Sequence, residues 1–99
     1  MGMGGDWKEM FQAACDGDLE LLRFHVDNGV DVNYVHPEYL STPLVACILA
    51  GQKDAALFLL DRGASPTAMS ELDGLTPLQA AEGAHMTSVS EQLRRLGAT

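Results

Sequence analysis

Basic side chains are scarce in this chain. Six lysines and arginines stand against fourteen acids, which leaves a formal net charge of −8 over 99 residues. Nucleic-acid affinity depends on Lys and Arg displacing counterions from phosphates, so that balance argues against a nucleic-acid partner. It disfavours anionic membrane surfaces for the same reason. Cysteine is nearly absent: Cys15 and Cys47 stand alone, each beside alanine. They read as reduced thiols of a cytoplasmic protein. No run approaches the ~18 consecutive apolar residues of a membrane span. Met1–Gly5 lacks the basic start and apolar stretch of a secretory signal and reads as a flexible N-terminus.

Clustered catalytic or metal-binding spacings are missing as well. His25, His36 and His85, taken with the two cysteines, form no Cys-x-x-Cys, His-x-x-x-His or Ser/His/Asp arrangement. The glycines at positions 2, 4 and 5 follow no strand and precede no Gly-Lys-Ser/Thr, so they make no phosphate loop. Asp16 and Asp18 flank Gly17 at a helix start, where acids suit the positive pole of the helix dipole. Glu71 and Asp73 read as solvated surface. The chain is expected to be no enzyme and to hold no cofactor or metal.

What is present is a repeat. A shift of 34 residues carries Thr42-Pro43-Leu44 onto Thr76-Pro77-Leu78, Gly17 onto Gly51, and Gly29 onto Gly63 and then Gly97. Met10, Leu44 and Leu78 form a column of large apolar residues; Ala13, Cys47 and Ala81 form a column of small ones. Thr42 and Thr76 suit the N-cap of a short helix, with proline at the first helical position, where a missing N–H costs nothing. Gly51 ends that helix, and a second helix through Ala55, Ala56, Phe58, Leu59 and Leu60 ends at Gly63. His85 takes the slot that Gly17 and Gly51 fill elsewhere. His25 falls in the column of Leu59 and Leu93 and is expected to be partly buried.

Segments 30–41 and 64–75 connect the helix pairs and are rich in turn formers, which predicts hairpin-like fingers. Val35, Leu40 and Met69 are expected to pack between neighbouring fingers. The ends read as polar caps. Asp6 with Glu9, and Ser88 with Glu91, fit capping boxes on the helices that follow them. Gln92 and Arg94 replace Phe58 and Leu60 of the preceding unit. The chain therefore reads as complete: an N-terminal cap (about 6–33), a central repeat (34–67) and a C-terminal cap (68–98), making one domain over 6–98.

Thr-Pro-Leu, then paired small residues, Gly, an aliphatic helix and Gly-Ala resembles the ankyrin repeat over nearly the whole chain. The resemblance implies an all-α solenoid of helix-turn-helix units with finger loops. It departs from the family in its period of 34 rather than 33, and in Val45 and Gln79 where a histidine usually follows Thr-Pro-Leu. It further implies a concave face, lined by fingers and first helices, that binds proteins. On that face the column positions place Cys15 and Leu49, and near the finger tips lie His36, Glu38, Tyr39, Glu71 and Leu72. These residues predict a protein-binding module, monomeric or weakly dimeric, whose acidity suits a partner with a basic patch. The alternative is a self-associating structural protein that buries Val45, Leu49 and Tyr39 in a homodimer.

Overall fold

The structure is a computed structural model, and it describes residues 3–99. Six helices follow one another among these residues: α1 Met3–Asp16, α2 Leu19–Asp27, α3 Pro43–Leu49, α4 Lys53–Asp61, α5 Pro77–Gly83 and α6 Thr87–Arg95. They pair as antiparallel hairpins, and the hairpins stack: α1 packs on α3 and α3 on α5, while α2 packs on α4 and α4 on α6. The first helices thus form one layer and the second helices another. The fold is the all-α solenoid that the repeat implies.

The local chemistry explains each start and stop. Thr42 and Thr76 cap α3 and α5, their hydroxyls accepting from the Val45 N–H at 3.1 Å and the Gln79 N–H at 3.2 Å. Gln79 returns the favour, its Oε1 accepting from the Thr76 N–H at 2.9 Å. Gln79 therefore closes a capping box at a position where the family usually carries histidine. Asp18 caps α2 through the Leu21 N–H. At the helix ends, Gly17, Gly29, Gly51, Gly63 and Gly97 all have positive φ, and His85 adopts φ 58° in the same structural slot as Gly51.

The columns become the core. Met10, Leu44 and Leu78 lie between the helix layers, as do Ala13, Cys47 and Ala81, all buried. His25, Leu59 and Leu93 form the matching buried column of the second helices. Small residues along the first-helix column let neighbouring hairpins approach closely, and the large residues fill what remains. Adjacent units are also tied by polar contacts. Asn33 donates to the Gly63 carbonyl at 3.0 Å and accepts from the Ser65 N–H at 2.7 Å. Gln52 donates to the Cys15 carbonyl at 3.2 Å. Arg62 pairs with Asp27 and stacks over Phe58 with its guanidinium carbon 4.7 Å from the ring centroid.

Several expectations are corrected. Helix α1 already includes residues 3–5, so Asp6 lies in its first turn and makes no cap with Glu9; Met1 and Gly2 fall outside the described residues. Helix α6 begins at Thr87 with Met86 at the N-cap and no side-chain cap bond, so Ser88 and Glu91 form no box. Val35, Leu40 and Met69 are exposed rather than packed between fingers. The reason is that the fingers are joined through backbone: the Leu72 N–H donates to the Leu40 carbonyl at 2.8 Å. Only the second finger is hairpin-like, closed by a bridge between Ser70 and Leu75. The first instead winds through a helical turn in which the His36 carbonyl accepts from both Tyr39 and Leu40.

Candidate functional site

The first finger is held by a ring cluster on α1. Trp7, 2% exposed, has His36 stacked at 5.5 Å and Tyr34 and Tyr39 edge-on at 5.6 and 5.2 Å. Phe11 meets Tyr39 edge-on at 5.1 Å. Rings in tilted and T-shaped contact attract through their quadrupoles, beyond the area they bury. His36 is further engaged as an acceptor, its Nδ1 taking the Glu38 N–H at 3.1 Å. His36 and Tyr39 are therefore half-buried supports of the finger rather than free tips.

Beside this cluster opens a cleft of about 370 Å³ lined by Phe11, Glu38, Tyr39, Ser41, Ala46, Leu49, Leu72 and Asp73. Its walls come from four elements: α1, the first finger, α3 and the second finger. Leu49 on α3 is 47% exposed and Leu72 on the second finger 67% exposed. The Leu72 N–H also donates to the Leu40 carbonyl, which fixes the two fingers relative to each other. Asp73 is positioned by the Ser70 hydroxyl, which donates to its carboxylate at 2.8 Å. The cleft thus has an apolar floor and carboxylates from Glu38 and Asp73 at its rim.

Of the six residues singled out from the sequence, Glu38, Tyr39, Leu49 and Leu72 come together here. His36 turns to Trp7, and Glu71 lies exposed outside the lining. Sequence reading missed Phe11, Ser41, Ala46 and Asp73. Ala46 and Leu49 lie three apart on α3, so helical spacing could have linked them; nothing in the chain order links Phe11 to Tyr39. Val45, a proposed dimer residue, is fully buried within the helix layers, and Tyr39 is half-buried.

The two thiols offer no activated nucleophile. Burial pushes the Cys47 thiol far above its ordinary range, helped by the neighbouring Cys15, although its own and the Ile48 backbone N–H oppose the shift. Burial and the Asp16 charge raise Cys15 as well. A thiolate is what attacks or ligates, and both sites disfavour it. Away from the cleft, among the described residues, one side-chain group could hold a metal ion: Asp6, Glu9 and His25.

Comparison with known proteins accords with this architecture. A family model of ankyrin repeats in three copies matches residues 10–95. The ARF GTPase-activating protein Git of Drosophila melanogaster is 39% identical over 72 residues, which is 73% of this chain and 10% of that protein. A crystal structure of an ankyrin repeat domain from Acinetobacter baumannii superposes with a TM-score of 0.82 at 30% identity, covering 91% of this chain and 47% of the other. The chain spans a tenth of the curated relative and about half of the solved one.

Proposed function

Because this chain belongs to the ankyrin-repeat family, whose repeats are generally protein–protein interaction modules, we propose that it binds a protein partner in the cleft between its fingers and first helices. The observation that carries this reading is the cleft itself: exposed Leu49 and Leu72 share one concavity with Phe11 and Tyr39, whereas other exposed apolar residues such as Leu21, Leu40 and Leu96 lie outside its lining. Partly exposed apolar residues gathered in one concavity mark an interaction site more than scattered ones do. Glu38 and Asp73 at the rim, with the net charge of −8, favour a segment that inserts an apolar side chain flanked by Lys or Arg. The module acts by binding and carries no catalysis, in keeping with a family that is typically non-enzymatic scaffolding. Its three units, about 6–33, 34–67 and 68–98, act as one domain.

The test compares affinity capture by the native chain with capture by the double variant Leu49→Asp, Leu72→Asp. Both positions are exposed, so the variant's thermal midpoint should stay close to native. A protein retained by the native chain and lost from the variant supports the reading. An identical set of captured proteins from both would place binding elsewhere.

A further inference from the structure

At the far side of α1 from the cleft lies a group that the binding role does not use. Asp6 and Glu9, three residues apart, project from one face of α1; His25 reaches them from the last turn of α2. One ligand-capable atom from each lies within 4.8 Å of the other two. Both carboxylates are exposed, but the His25 side chain is only 6% exposed. Its Nε2 is buried and has no hydrogen-bond partner among the described residues, although Glu9 Oε1 lies 3.2 Å away. Glu9 thus faces Nε2 at contact distance without hydrogen-bond alignment, and a buried polar atom so poorly matched is one that a ligand between the two would satisfy.

The geometry points to a divalent transition-metal site formed by Asp6, Glu9 and His25. An ion with bonds of ~2.0–2.1 Å in tetrahedral coordination holds its ligands about 3.3 Å apart, close to the Glu9–His25 separation. Asp6 is exposed and can swing its carboxylate inward. One imidazole with two carboxylates suits zinc and its neighbours; calcium and magnesium prefer oxygen throughout. Three protein ligands leave a fourth position for water or for a partner's side chain. The site joins α1 to α2, so a bound ion would clamp the first hairpin, the unit with no Thr-Pro-Leu start. A group that binds the folded state alone raises its stability by mass action.

The experiment is a calorimetric titration of the full chain, carrying no histidine tag, with Zn²⁺, and an absorption titration with Co²⁺. The expected result is saturable one-to-one Zn²⁺ binding, a raised thermal midpoint, and a Co²⁺ spectrum without thiolate charge-transfer bands. Loss of a supporting group around a metal already costs ~10–100-fold in affinity, so Glu9→Gln should weaken binding about tenfold or more. His25→Gln should do the same, with circular dichroism used to check that it folds; Glu9→Gln, being exposed, keeps the test decisive if His25→Gln does not. Failure to saturate with Zn²⁺, equal affinity in native and Glu9→Gln proteins, or a thiolate band that assigns the ion to Cys15 would each overturn the proposal.

Discussion

Leu59 shows how much one side chain carries in so short a stack. It is fully buried in the second-helix layer, in the column between His25 and Leu93. A Leu→Ala change at such a site removes transfer energy and leaves a cavity, at a cost of roughly 2–5 kcal/mol. Small domains hold only about 5–15 kcal/mol in total. Leu59→Ala should therefore lose much of the cooperative transition in urea; a midpoint close to native would show that the site collapses around the gap. Cys47 makes the residue scale depend on pH. Its thiol is fully buried, donates to the Leu44 carbonyl at 3.2 Å, and titrates far above the ordinary value of 9.0. Below pH 9 the thiol is protonated in both states and its contribution to stability is complete. Above that, the unfolded chain loses the proton first, so stability falls as pH rises, by about 1.4 kcal/mol per pH unit from this group. Urea unfolding at pH 8 and pH 10 should show the fall. Cys47→Ala should flatten it, leaving only the weaker contribution of Cys15.

At the scale of elements, α5 is short, and its ends do much of the stabilising. The box between Thr76 and Gln79 satisfies two backbone donors that the helix cannot use itself. Thr76→Ala should cost about 1 kcal/mol, and Gln79→Ala less, since only the return bond is lost. Denaturant midpoints of the two variants, read beside each other, test that order. At the other end, His85 holds φ 58°, a left-handed conformation that costs an L-residue roughly 1–2 kcal/mol. His85→Gly should raise the thermal midpoint, offset in part by the added freedom of glycine when unfolded. The Thr76 cap and the His85 slot were readable in the chain, because a cap or a glycine slot is a local requirement; the return bond from Gln79 was not anticipated. The boxes expected at Asp6–Glu9 and Ser88–Glu91 failed for a reason that is also local: α1 begins at Met3 and α6 at Thr87, so the residues sit inside their helices.

At the scale of the whole molecule, the hairpins stack over an extent of 37 × 25 × 21 Å and leave the cleft open on one side. No described helix is long and apolar enough to cross a membrane. Charge acts at this scale, since the rim acids are among the fourteen that leave the chain at a net −8. The proposed complex should weaken as salt rises toward 0.5 M, chiefly through slower association, because screening shortens the reach of the field. Affinity of the captured partner measured across a salt series checks this, and a flat response would assign recognition to the apolar floor alone.

The repeat period, the Thr42 and Thr76 caps and the buried columns were settled by the sequence, because each is fixed by neighbours a turn or one period away. Leu49 was placed on the proposed binding face by its column, read through the family resemblance. What tertiary structure decided was which side chains meet across units: Tyr39 and His36 turn inward to Trp7, Phe11 enters the cleft wall, and Val45 sinks into the core. It also gathers Asp6, Glu9 and His25 from two helices. Such meetings depend on the path of the fingers and the angle of each hairpin, set by backbone bonds such as Leu72 to Leu40 that carry no side-chain signature.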